Sequence, residues 1–164
     1  MTTQVRHKQL TPLEQPRELI LACPSFRSTV NLSRIVRLAS CAAAKKIIAA
    51  TPAKVDPKIA RDGAEELEIE RRRSLGPVLK TIRQDGFQLV GLEQTNDSES
   101  LFDFQFDRKT VLVIGHERHG IAESLLPMMD RTVEIPVYGL PFSYNVVTAT
   151  TMAVYEYCKQ FPVG

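Results

Sequence analysis

Cysteine is scarce in this chain of 164 residues, and neither sign of charge is much in excess. The three cysteines, Cys23, Cys41 and Cys158, are odd in number, far apart and without CxxC spacing. That pattern argues against a disulfide framework and a cysteine-based zinc site, and it points to a reducing, cytoplasmic setting. Lys and Arg number 21 against 19 Asp and Glu, a net charge of +2, so any grip on a polyanion must come from local clusters. No apolar run is long enough to span a membrane, and the polar start, with Pro12 and Pro16, has no signal-peptide core. Internal repeats and linker-like composition are missing too. What is there is 43% hydrophobic residues in a chain the size of one globular domain. The expected division is an N-terminal arm over residues 1–16 and one domain over residues 17–164.

Short apolar runs alternate with helical stretches. Glu18 to Cys23, Lys46 to Thr51, Phe87 to Leu92, Thr110 to Gly115 and Thr132 to Pro136 read as strands, nearly continuous in Leu, Ile and Val, as strands buried on both faces are. A mostly parallel α/β sheet flanked by helices follows. A helix beginning near Asn31 sets Leu32, Ile35, Val36, Ala39 and Ala42 on one face and Arg34, Arg37, Cys41 and Lys45 on another. Acidic residues precede basic ones between Arg61 and Arg73, which predicts a surface helix, either simply solvated or with its arginines on RNA phosphates. Pro77 suits the start of a helix and Gly86 its end. Gln94 to Gln105 reads as a loop, Ile121 to Met129 as helical, and Asn145 to about Gln160 as a long amphipathic helix capped by Ser143 or Asn145.

Three segments lie at the carboxyl ends of predicted strands, where open α/β sheets bind ligands. They are Asn31 to Arg37, Gly115 to Gly120, and Ile135 to Asn145. The glycines of Gly-His-Glu-Arg-His-Gly either only make a turn or admit a ligand close to the backbone. They do not form GxGxxG, nor is there a phosphate-loop motif, so a nucleotide-binding regulator is poorly matched. His116, Glu117 and His119 lack the four-residue histidine spacing of a zinc helix, so no metal is expected.

In order and spacing these segments resemble motifs 1, 2 and 3 of the SpoU/TrmH methyltransferases of the SPOUT superfamily. Motif 1 is Asn-Leu-Ser-Arg-Ile-Val-Arg, Asn31 to Arg37; motif 2 is Val-Ile-Gly-His-Glu-Arg-His-Gly-Ile, ending at Ile121; motif 3 runs from Ile135 to Val146. The resemblance implies a C-terminal deep trefoil knot, an exception to the rule that chains do not thread loops. It implies S-adenosylmethionine as methyl donor, with S-adenosylhomocysteine as product, in a pocket lined by Leu92, Gly115, Ile135, Ser143 and Tyr144. It further implies 2′-O-methylation of an RNA ribose by a homodimer that needs no metal, with Arg37 catalytic and Asn31, Glu117, Ser143 and Asn145 supporting it. Arginine being permanently protonated, Arg37 would orient the neighbouring phosphate and stabilise the forming alkoxide. Motif 3 reads Ser-Tyr-Asn-Val-Val where the family usually has Ser-Leu-Asn-Val-Ser, which leaves a catalytically inactive RNA-binding protein as the alternative. The run Gly86 to Thr95 and the Asn-Leu-Ser form of motif 1 resemble the tRNA guanosine-2′-O-methyltransferases, so tRNA is favoured over rRNA. The apolar stripe of Val146, Ala149, Ala153 and Tyr157 is expected to serve the dimer contact.

Overall fold

Continuous Leu, Ile and Val runs can be satisfied only between two apolar layers, and that is where they lie. A computed structural model describes all 164 residues. Its strands are β1 (Leu19–Cys23), β2 (Lys46–Ala50), β3 (Ile69–Arg72), β4 (Gln88–Leu92), β5 (Glu99–Ser100), β6 (Thr110–Ile114) and β7 (Arg131–Glu134). They form one sheet in the order β3-β2-β1-β6-β4-β7-β5, and every pairing is parallel. The helices are α1 (Thr29–Cys41), α2 (Pro57–Ala60), α3 (Gly63–Glu66), α4 (Gly76–Gln84) and α5 (Val146–Gln160).

Alternate residues of the central strands feed two separate cores. Leu19, Leu21 and Cys23 of β1, with Leu112 and Ile114 of β6, meet α1, α5 and the Leu101–Phe106 connection. Ile20, Ala22, Val111 and Val113 point the other way, to Leu79 and Ile82 of α4 and to Ile121. Of the residues expected on the inner face of α1, Leu32, Ile35, Val36 and Ala39 are buried there, and Arg34, Arg37 and Cys41 are exposed; the helix ends at Cys41, so Ala42, half-buried, and Lys45 lie beyond it. Helix α5 is tied to the connection before β6, since the Gln160 amide donates to the Phe104 carbonyl at 2.7 Å and accepts from the Phe106 N–H at 2.8 Å. The Tyr157 hydroxyl donates to the Arg108 carbonyl at 2.6 Å. Just beyond α5, the Glu14 N–H donates to the Val163 carbonyl at 2.9 Å, so the N-terminal segment meets the C-terminal one.

Four expectations need correction. The charged Arg61 to Arg73 stretch is not one helix but the short α3 followed by β3, an edge strand whose Glu70 pairs with Lys46 of β2. An edge strand keeps an open flank, so it tolerates the charge that made the segment look helical. Ile121 to Met129 forms turns and a single 3₁₀ turn at Leu126–Met128 around Pro127, whose missing N–H limits helix growth. Gln94 to Gln105 includes the two-residue β5, held by β7. The apolar stripe of α5 is consumed within the chain: Ala153 and Tyr157 are buried in the core, and Val146 packs against it.

Candidate active site

The carboxyl ends of β4, β6 and β7 open into a cleft of about 250 Å³, closed on its far side by the segment leading into α5. Leu92, Gly115, Ile135, Ser143 and Tyr144 all border it. The segment of Gly115 and Gly120 folds back on itself through paired His116 and Gly120 backbone hydrogen bonds of 2.9 and 3.0 Å. A side chain at Gly115 would place its Cβ 2.9 Å from the Gly120 backbone, and Gly120 has φ +66 with the Glu93 carboxylate in the space a Cβ would need. The cleft wall here is therefore bare backbone of necessity.

Glu117 is the hub between the first two motifs. Its carboxylate accepts from the Arg27 N–H at 3.2 Å, the Ser28 N–H at 3.1 Å and the Asn31 amide at 3.0 Å, all at the start of α1. Burial raises its pKa, but hydrogen bonds from its own backbone, Asn31, Ser28 and Arg27 outweigh that and hold it below the usual carboxylate value. His116 Nε2 lies 3.3 Å from the same carboxylate and its Nδ1 accepts from the Arg118 N–H at 3.2 Å. These two contacts fix the orientation of the ring between the carboxylate and the Arg118 backbone. The rings of His116 and His119 stack with centroids 5.0 Å apart, and no group of three or more His, Cys, Asp or Glu side chains converges as a metal-ligand set.

The catalytic candidates are only partly gathered. Glu117 and Ser143 border the cleft, and Asn31 stands one hydrogen bond behind it. Asn145 caps α5, accepting from the Val147 N–H at 2.9 Å, between the lining residues Tyr144 and Val146. Arg37 is not brought to this cleft; it lies on the exposed face of α1 and borders a different groove. Sequence reasoning missed Glu93, whose carboxylate accepts from the Ile121 N–H at 2.8 Å and so ties the end of β4 to the glycine turn. It missed Glu134 of the lining as well. Both carboxylates sit at strand ends, the signal that could have found them.

A family model described as the SpoU rRNA Methylase family matches residues 18–155. The chain belongs to this family. It is 35% identical over 86 residues to the tRNA (guanosine(18)-2′-O)-methyltransferase of Mus musculus, covering 52% of this chain but 5% of that protein. The fold matches the A. aeolicus TrmH/SpoU tRNA modifying enzyme with a TM-score of 0.84 and 25% identity, over 92% of this chain and 78% of that one. It also matches the SpoU methyltransferase AviRb from Streptomyces viridochromogenes in complex with the cofactor AdoMet, with a TM-score of 0.78 and 27% identity, over 93% and 64% of the two chains.

Proposed function

We propose that this protein transfers a methyl group from S-adenosylmethionine to a ribose 2′-hydroxyl of RNA. The observation that carries the reading is the meeting of the β4, β6 and β7 loops at one backbone-walled cleft in a chain of the SpoU family. The cleft fits the donor in kind: Leu92, Ile114, Val133 and Ile135 offer apolar surface for a purine, and Glu93 and Glu134 offer carboxylates for its cationic groups. When bound, S-adenosylmethionine would supply an electrophilic methyl group on a sulfonium; the C–S bond breaks as the O–C bond forms, S-adenosylhomocysteine leaves, and the hydroxyl proton passes to water.

The protein's own part is positional and electrostatic. Glu117 and Asn31 hold the start of α1 against the cleft, and Asn145 anchors the loop that carries Ser143 and Tyr144. Arg37, outside the cleft of its own chain, serves the cleft of a second copy, where its guanidinium holds the phosphate beside the target ribose and stabilises the developing alkoxide. A homodimer is thus part of the proposal, and so is a cytoplasmic setting. So also is a domain over residues 17–164 whose α5 is threaded under the connection before β6 as a trefoil knot, consistent with the hydrogen bonds joining them. The favoured substrate is tRNA, with a D-loop guanosine as target, in keeping with the substrate of the mouse relative.

The test is calorimetry with S-adenosylmethionine and S-adenosylhomocysteine, followed by transfer of labelled methyl to separate unmodified tRNA and ribosomal RNA pools. Donor binding and transfer to tRNA are expected. Arg37→Ala is expected to cut transfer on the order of a hundredfold with donor affinity retained. Donor binding by the wild type without transfer to either pool would favour the inactive RNA-binding alternative, and absence of donor binding would sink the assignment.

A further inference from the structure

The groove that Arg37 borders is not explained by the donor cleft. It has a volume of about 770 Å³ and lies among the C-terminal ends of α1 and α5, the start of α3 and the Gln9–Leu13 segment. Three arginines border it: Arg17, Arg37 and Arg61.

Arg17 is the unusual one. The residue is 7% exposed, its Nη1 donates to the Phe161 carbonyl, and its buried Nε has no partner. No carboxylate lies within ion-pair distance of Arg17, Arg37 or Arg61. A guanidinium taken out of water without a counter-charge is costly, and it is tolerated where an anion completes it. The nearby Cys158 thiol does not do so, because burial pushes its pKa up and keeps it neutral. Asp62 is the one acidic side chain bordering the groove, against three cations.

Arg61 is the third cation of the groove and stands at its exposed rim. Its backbone has φ +56, a left-handed conformation that side chains other than glycine and asparagine rarely adopt, and its side chain makes no hydrogen bond to the protein.

We propose that this groove binds a phosphate group, with the buried Arg17 as its floor and Arg37 and Arg61 as its walls, and that the phosphate belongs to the RNA backbone. Guanidinium forks match phosphate oxygens in pairs, and three of them around one groove suit a phosphodiester run rather than a single small anion. The assignment rests on the RNA methyltransferase reading for the source of the phosphate, not for the anion site itself. Placing a backbone phosphate beside Arg37 would bring the RNA to the residue proposed to act on its ribose.

The experiment has two arms, run on wild type, Arg61→Gln and Arg17→Gln. In the first, the melting temperature is followed in inorganic phosphate against potassium chloride of equal ionic strength. In the second, binding of a fluorescent RNA hairpin is titrated across salt concentrations, with S-adenosylhomocysteine binding measured on the same samples. Expected are a phosphate-specific rise in melting temperature that Arg61→Gln diminishes, and a several-fold weaker hairpin affinity whose salt slope falls by about one in that variant. Donor-product binding should be unchanged. Arg17→Gln should do the same if it folds; Arg61→Gln, at an exposed position, decides the matter if it does not. Phosphate stabilisation with hairpin affinity untouched by either variant would keep the anion site and overturn RNA as its source. Identical behaviour of wild type and Arg61→Gln in both arms overturns the site. Loss of S-adenosylhomocysteine binding in the wild type would instead strike the methyltransferase reading and leave the phosphate arm standing.

Discussion

Glu117 joins the turn after β6 to the start of α1 with three hydrogen bonds to one carboxylate, all from neutral donors. These bonds favour the charged form, so the folded pKa is lower than the unfolded one. Their contribution to stability is complete above the unfolded carboxylate pKa of about 4.3 and is lost as pH falls through the folded value below it. Glu117→Gln is therefore expected to destabilise the fold by about 1–3 kcal/mol at neutral pH. The gap between variant and wild type should narrow as pH drops below about 4.3. Denaturant titrations across acidic pH check this, and a gap that stays constant would mean that the charge is not what holds the two segments together.

At the scale of elements, the turn from Gly115 to Gly120 has the least room to vary. Gly120→Ala meets both a positive φ and the Glu93 carboxylate, whereas Gly139, in the loop before α5, has open space where a Cβ would go. Gly120→Ala should cost about 1–3 kcal/mol and weaken donor binding, with Gly139→Ala close to neutral. Thermal melts and calorimetry on the pair test it; equal behaviour of the two variants would mean that the turn is not rigid. Elements of this kind differ in how plainly the sequence declares them. Strands β1, β2, β4 and β6 were legible within a residue or two because their buried runs are rich in Leu, Ile and Val, and β7, Arg-Thr-Val-Glu with only Val133 buried, was legible from the apolar residues that flank it. Strand β3 was not, because an edge strand carries Ile-Glu-Arg-Arg, and charge order alone favours a helix. Strand β5 is two residues whose pairing comes from β7, so nothing local announces it. The lining of the cleft was legible at its glycines and at Ser143 and Tyr144 through the family resemblance, but Glu93 acts by reaching another loop, and contact across loops leaves no local pattern.

For the whole molecule, the exposed face matters more than the core. Tyr138, Leu140 and Phe142 in the loop before α5, and Tyr155 on α5, expose 71–84% of their surface, an apolar display unusual for a lone chain. Because Arg37 lies away from its own cleft, a second copy is the occupant that would complete the site. Sedimentation is expected to give a homodimer at micromolar concentration, and Phe142→Glu is expected to shift it toward monomer and reduce methyl transfer together. An active monomer would defeat the shared-site arrangement.

The cleft's lining runs from Leu92 to Ala149, so its walls come from four successive stretches of chain that meet only in the fold. On the ribosome, where synthesis proceeds from the N-terminus, β1, β2 and β3 emerge well before any of that lining exists. The cleft is therefore a late product of synthesis: a nascent chain that has not yet released the start of α5 has no closed cleft to fill. A formed cleft then reports that the far end of the chain has reached its place.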